Sequence, residues 1–252
     1  MIELPTIGWI ALMVGAAVIG LSKAAIPGGT MIAVALFAAV LPARGSTGAV
    51  LLLLIVGDAF ALWAYRHHAD LKVLVRLIPA VLAGLVVGGL FLFVASDLLV
   101  RRAIGILLLI VVAVTLWRRR RSAVRRAVER VPHSGRIAAA VYGTLGGFTT
   151  MVANAAGPVM SMYFLSIGFP VKTFLGTAAW FFAVVNVGKL PLLASIGIVT
   201  ADTVVLAALL APVVIAAAFG GRVIAGRMNQ MVFERIVTVT TVAAASYLVV
   251  AP

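Results

Sequence analysis

The sequence predicts an all-α integral membrane protein made of two inverted-topology repeats, each a broken, re-entrant helical hairpin followed by three transmembrane helices. Three observations predict it. Of the 252 residues, 64% are hydrophobic and 11% charged, whereas soluble proteins are about half apolar and a quarter charged. Apolar stretches recur along the chain, each near the ~20 residues a helix needs to cross ~30 Å of hydrocarbon. Two Gly/Pro-interrupted segments also stand at corresponding places in the two halves. A soluble chain of this size could not hide so much apolar surface in one core. The composition therefore excludes a cytosolic enzyme, a nucleic-acid module and a disordered chain.

The first element, residues 7–42, is too long for one span and breaks at Gly20-Leu-Ser-Lys-Ala-Ala-Ile-Pro-Gly-Gly29. Met1–Thr6 carries Glu3 and no Lys or Arg, so it lacks the basic flank of a cleaved signal peptide and the stretch is expected to stay. Uninterrupted stretches follow at 46–65, 73–95 and 99–117. The second broken element, 137–169, is interrupted at Thr149-Thr-Met-Val-Ala-Asn-Ala-Ala-Gly-Pro158, and stretches 173–196, 203–221 and 231–250 complete the chain. Proline removes a backbone donor and glycine is a poor interior helix residue. Each broken element thus reads as two arms of 13–16 residues, about 20–24 Å each, which fits re-entry better than two full crossings with a surface loop. Polar residues precede or open the stretches as caps: Ser46, Asp70, Ser96, Thr173, Asp202 and Asn229. Pro79, Pro191 and Pro212 read as kinks. Gly84-x-x-x-Gly88 and Gly143-x-x-x-Gly147 read as seams for close helix packing.

The halves resemble each other. Pro27 matches Pro158 and Gly15 matches Gly146 at an offset of 131; Pro42, Gly48 and Asp58 match Pro170, Gly176 and Asn186 at an offset of 128. Gly88-Gly89 matches Gly220-Gly221 at 132, and Arg102 matches Arg235 at 133. The chain accordingly divides into a first membrane repeat, 1–117, an Arg-rich loop, 118–136, and a second membrane repeat, 137–252. A re-entrant hairpin adds no net crossing and three helices add three, so the second repeat is inserted upside down. The net charge is +13, and eight of the 16 arginines lie within 118–136. Positive charge is retained on the cytoplasmic side during insertion. The loop is therefore expected inside, as a lipid-facing patch rather than a nucleic-acid site, and both termini are expected outside. Cysteine is absent from the sequence, which removes disulfides and thiolate metal sites.

Few ionisable or polar groups sit in the apolar stretches, where they are costly to insert. Lys23 and Ser22 lie at the first break, Asn154, Thr149 and Thr150 at the second, and Asp58, Asn186 and Lys189 within stretches 46–65 and 173–196. Two lysines with hydroxyl and amide donors read as an anion site. The arms beginning after Pro27 and Gly157 would add free N–H groups and positive dipole ends. Asn186 and Lys189 are three apart and share a helix face. The substrate-binding candidates are thus Lys23, Ser22, Asn154, Thr150, Asn186 and Lys189. Asp58 is read as an ion-pair partner for a lysine or as a proton carrier. Simpler readings stand beside these: Lys23 reaching the interface from a loop, Lys189 snorkelling, and Asn154 capping a helix. No catalytic motif of the HExxH, GxSxG, GxxxxGK[ST] or CxxC type occurs. Adjacent His67 and His68 point apart on a helix, so an enzyme, a metal and a cofactor are not expected.

Asn154-Ala-Ala-Gly-Pro-Val-Met-Ser161, Gly176-Thr-Ala-Ala-Trp-Phe-Phe182, Asn186 and Lys189-Leu-Pro191 resemble the second half of the TauE/SafE family of sulfite exporters. Gly20–Gly29 is similar to the same family's first half, and the resemblance spans roughly residues 8–250. It implies a multi-pass permease of the bacterial inner membrane for sulfite, sulfonates or related small anions, with Asn154, Asn186 and Lys189 at or near the pathway. The expected function is secondary transport of a small anion such as sulfite or an organosulfonate. The expected partners are that anion and the lipid bilayer, with a homo-oligomer as a further option. An anion channel and a membrane assembly subunit are the alternatives.

Overall fold

The computed structural model of the chain describes residues 5–25, 29–94 and 136–229, with residues 231, 232, 235, 236 and 239 of the final stretch. Expectations for Pro27, Ser96, stretch 99–117, the Arg-rich loop up to residue 135 and most of 231–250 fall outside the described residues. Among the described residues all regular structure is helical. The helices are α1 (Thr6–Ala24), α2 (Thr30–Val40), α3 (Ala43–Tyr65), α4 (Leu71–Val94), α5 (Arg136–Ala153), α6 (Ala156–Ser166), α7 (Val171–Ser195) and α8 (Ala201–Arg227). A single 3-10 turn, Arg66–His68, follows α3 and exposes His67 and His68.

Among the described residues five helical segments are long and apolar enough to cross a membrane: Thr6–Ala24, Gly45–His68, Leu71–Phe91, Val171–Ser195 and Ala201–Arg227. Polarity is distributed as a bilayer requires. Val204, Val205, Leu209, Phe219 and Val223 of α8 are exposed, while Asp58, Asn186 and Lys189 are buried. The exposed apolar side chains face what must be hydrocarbon, and the polar groups turn inward to find partners.

The hairpins differ from the two equal short arms expected. α1 and α5 have 19 and 18 residues, whereas α2 and α6 have 11 each. The long arms are about 27–28 Å and the short arms about 16 Å, so the second arm is the one too short to cross. Two local causes explain the asymmetry. Gly20 stays helical because it serves a packing need: a Cβ there would lie 2.1 Å from the Val214 carbonyl oxygen. In the second hairpin only Asn154 and Ala155 interrupt the helices, and Pro158 sits in the first turn of α6, where its missing N–H is tolerated. Asn154 takes a left-handed φ of 52°, and its amide donates to the Thr150 carbonyl at 3.1 Å. That is an αL termination of α5, with asparagine where glycine is commonest.

Capping also differs from the sequence reading. Pro42 and Pro170 hold the N-cap positions of α3 and α7, so Ser46 and Thr173 lie inside the first turns. Thr200, not Asp202, caps α8 through a reciprocal capping box with Thr203, and Asp202 places its charge in the positive first turn. Asn229 behaves as expected, its Oδ1 accepting from the Val232 amide at 2.8 Å.

The chain divides into two compact units, Met1–Leu71 with Pro170–Phe233 and Lys72–Phe169 with Glu234–Pro252. Each unit takes segments from both halves of the sequence. The spatial units therefore do not coincide with the division at the Arg-rich loop.

In the first unit α1, α2, α3 and α8 enclose a core that includes Leu12, Ile19, Phe37, Leu53, Leu206 and Val214. α3 and α7 run antiparallel. A Cβ on Gly48, near the start of α3, would lie 2.2 Å from the Ile198 carbonyl oxygen just beyond α7. A Cβ on Gly176, near the start of α7, would lie 2.6 Å from the Tyr65 carbonyl oxygen at the end of α3. The two glycines that match in sequence thus make reciprocal contacts. α1 runs parallel to α8, with Gly20 against Val214 and Gly221 against Leu21 and Ala24. Tyr65 donates from its hydroxyl to the Ala24 carbonyl at 3.0 Å, satisfying one of the orphan acceptors at the end of α1. The Arg222 guanidinium lies 4.8 Å from the Trp63 ring. This pairing of a cation with an exposed aromatic suits the membrane–water boundary.

In the second unit the two predicted glycine seams face each other. A Cβ on Gly84 would lie 2.1 Å from the Thr144 carbonyl oxygen, and one on Gly147 would lie 2.2 Å from that of Val81. α4 and α5 are therefore in backbone contact along the seam. α6 is buried along Ala156–Leu165, and the Tyr163 ring packs at a tilt against Tyr142 and Phe164, with centroids 5.5 and 5.8 Å apart. Gly147→Val is expected to separate α4 from α5 and remove most folded protein from detergent extracts, as measured by fluorescence size-exclusion. Gly226→Ala, where an added Cβ meets nothing within 4 Å, is expected to elute as the unaltered chain.

Candidate functional site

Three helices of the first unit bring ionisable and amide groups to one place. Lys23 comes from the last turn of α1, Asp58 from α3 and Asn186 from α7. The Lys23 Nζ lies 2.5 Å from Asp58 Oδ1, with the two side chains 7% and 1% exposed. Asn186 Nδ2 donates to Asp58 Oδ2 at 2.7 Å. Both carboxylate oxygens are thus engaged, one by a cation and one by an amide. The Lys23 ammonium also stands 4.3 Å from the centre of the Phe182 ring, whose π-face gives it a second electrostatic partner.

Local sequence explains how these groups meet. Gly57 precedes Asp58, and a Cβ there would lie 2.9 Å from Lys23 Cγ, so the absence of a side chain lets the lysine lie against α3. Ser22 does not point its hydroxyl at the ion pair's anion. Its Oγ accepts from the Thr30 amide at 3.1 Å and ties the start of α2 to the end of α1 across the break. Gly48 against Ile198 and Gly176 against Tyr65 fix the register of antiparallel α3 and α7, and that register sets Asp58 opposite Asn186. Lys189 follows Asn186 by just under one turn of α7, is buried, and lies within electrostatic reach of both Lys23 and Asp58.

Asn154 and Thr150 belong to the second unit, where both are buried at the α5–α6 break. Asn154 does not occupy the N-cap of α6, which falls on Ala155 without a side-chain bond. Thr149 turns its hydroxyl back to the Leu145 carbonyl at 2.8 Å. Among the described residues no group of three or more His, Asp or Glu side chains is placed to hold a metal ion.

Gly57, Tyr65 and Phe182 are the site residues that the sequence reading did not single out. Phe182 stood inside the quoted Gly176–Phe182 segment, four positions before Asn186 and so on the same helix face. The site thus lies deep among apolar helices and consists of ion pair, amide and second ammonium, with no nucleophile activated by a base.

The sulfite exporter TauE/SafE family model matches residues 12–248. The chain belongs to the TauE/SafE family. Comparison with curated proteins and with solved structures finds no match. Members of TauE/SafE are multi-pass membrane transporters, which agrees with the five membrane-length segments and the inward-turned polar groups described above. In this TauE/SafE chain the motif residues Asn186 and Lys189 fall on the α7 face that carries the buried cluster.

Proposed function

We propose that the protein is a secondary transporter that exports a small anion of the sulfite or organosulfonate class. Its binding site is built on Lys23, Asn186 and Lys189, with Asp58 neutralising Lys23 when the site is empty. The observation that carries this reading is the buried Lys23–Asp58–Asn186 cluster, with Lys189 one turn away. Two lysines beside one carboxylate in apolar surroundings give the site an excess of cationic groups, which an entering anion offsets. Lysine offers a compact point charge that releases an oxyanion more readily than a bidentate arginine fork. Ser22 is assigned to holding the hairpin rather than to the anion itself. Asn154 and Thr150 stand as candidate anion contacts on sequence grounds.

The inverted-repeat architecture belongs to the same proposal. It is supported by the antiparallel α3 and α7, the reciprocal contacts of Gly48 and Gly176, and the meeting of the matched pair Asp58 and Asn186. Transporters built this way place substrate near the midplane, where broken elements meet, and alternate access by moving one bundle against the other. The Arg-rich loop is assigned to the cytoplasm and the termini to the periplasm of a bacterial inner membrane. With no phosphate-binding loop in the sequence, transport runs down an ion or substrate gradient.

The test is radiolabelled sulfite efflux from proteoliposomes containing the purified protein. Saturable efflux, accelerated by unlabelled sulfite or methanesulfonate on the far side, is expected. Non-saturating flux with large single-molecule currents would instead make the protein a channel. Absence of flux from monodisperse protein would overturn transport of this class.

A further inference from the structure

Asn186 Oδ1 is buried and has no hydrogen-bond partner among the described residues, although its own amide nitrogen is bonded to Asp58. An unpaired buried acceptor is unusual and destabilising. Here it stands in a cluster that otherwise attracts anions, where a carbonyl dipole of this sense repels one. The orientation follows from the charge of Asp58. An ionised carboxylate only accepts, so the amide must present Nδ2 to Asp58 and leave Oδ1 over.

Protonation reverses each part of this arrangement. A protonated Asp58 has an O–H to donate and needs an acceptor. Asn186 supplies one by turning over about its terminal torsion, a broad and nearly two-fold rotation. Oδ1 then accepts from Asp58, and Nδ2 moves to the place that Oδ1 held and presents two donors there. Lys23, 2.5 Å from Asp58 Oδ1, loses its counter-ion in the same step. An unfavourable acceptor becomes a donor, and an ammonium engaged by protein becomes available to substrate.

We propose that Asp58 and Asn186 form a proton-binding site whose amide inverts on protonation, so that one proton is bound with each transported anion. The inference rests on the anion-transport reading above and assigns that site its coupling ion. Without the proton, a bound oxyanion and the Asp58 carboxylate would compete for Lys23 in surroundings that screen their repulsion poorly. The groups facing Asp58 support the assignment. α1 contributes Lys23 and α7 contributes Lys189, whereas α2 contributes no titratable side chain. On α8 the ionisable side chains are Asp202 in the first turn and Arg222 and Arg227 near the other end, with Arg222 over Trp63. Among the described residues Asp58 is therefore the one carboxylate in the cluster, with Lys23 and Lys189 as the titratable amines beside it.

The experiment is titration calorimetry of the purified full-length protein with methanesulfonate and with sulfite, repeated in buffers of different ionisation enthalpy and across pH. Methanesulfonate does not titrate near neutral pH, so protons taken up on binding go to the protein. About one proton per anion is expected, with affinity rising about tenfold for each unit fall in pH while Asp58 is ionised in the free protein. Asp58→Asn is expected to take up no proton and to bind with affinity independent of pH, because its amide donates permanently to Asn186 Oδ1. Asn186→Leu is expected to lose most of the affinity gain at low pH. Full retention of that gain in Asn186→Leu would overturn the amide inversion. Should Asp58→Asn fail to fold, the wild-type count is compared with that of Lys189→Met, and loss of the proton there overturns the assignment to Asp58. Should sulfite alone bind, its proton count is compared with the fraction of sulfite already protonated at each pH. Anion binding by the wild type without proton uptake overturns this inference and leaves anion transport standing. Binding of neither anion at any pH overturns the transport reading itself.

Discussion

Replacing Lys189 with methionine is expected to lower sulfite flux by about ten- to a hundredfold while leaving the protein assembled. A hydrogen bond to a charged partner is worth about 1.5–3 kcal/mol, which corresponds to that factor. The residue is buried on α7, one turn beyond the Asp58-bound Asn186 and within electrostatic reach of Lys23. Removing it strips the site of one of two positive charges and leaves the Lys23–Asp58 pair intact. Methionine keeps the length and volume of the stem, so packing of α3 on α7 is preserved. The fold is expected to tolerate the change because it removes the repulsion between two like charges. Efflux from proteoliposomes measures the first effect, and elution volume with thermal melting in detergent measures the second. Wild-type flux in a well-assembled Lys189→Met protein would remove Lys189 from the site. Lys189→Arg is expected to retain binding and slow release, seen as a lower half-saturating concentration together with a lower maximal rate.

Much of this arrangement was legible in the sequence, for identifiable reasons. Helix existence follows from hydrocarbon length and apolar composition, so α3, α4, α7 and α8 appear within a few residues of the stretches expected. The pairing of Asp58 with Asn186 was foreshadowed by their common offset of 128 from matched prolines and glycines. The register of antiparallel α3 and α7 sets the two opposite each other. The unequal hairpin arms were not legible. Glycine propensity argued for a break at Gly20, and it was overridden by the backbone of Val214 lying where a side chain would have stood. The bond that Ser22 makes across the break was hidden for a related reason. A buried helix start needs its amides satisfied, and the nearest hydroxyl supplied that bond to Thr30. The interleaving of the two halves into the compact units was equally hidden, because offsets reveal which segments match but not which of them pack.

Replacing Lys23 with methionine is expected to have the opposite character, removing folded protein before transport can be measured. It would take the directly bonded cation from the Asp58 carboxylate, 1% exposed, leaving the Asn186 amide as its hydrogen-bond donor and Lys189 as the remaining cation nearby. Removing one member of a buried ion pair destabilises by about 3–5 kcal/mol, because the other charge is left uncompensated. A fall in melting temperature in detergent, with loss of the monodisperse peak, is the expected measurement. The second substitution distinguishes structure from function. Lys23→Met combined with Asp58→Asn removes both charges and keeps an acceptor for Asn186 Nδ2, so the fold is expected to recover most of the lost stability. Replacing both ions of a buried pair is often close to neutral. Flux is not expected to recover, since the ammonium that an anion would claim from Asp58 is gone. Recovery of both would show that the pair serves only to hold α1 against α3. Recovery of the fold alone locates anion binding at the end of α1, where Gly57 has made room for the lysine stem and Phe182 flanks its charge.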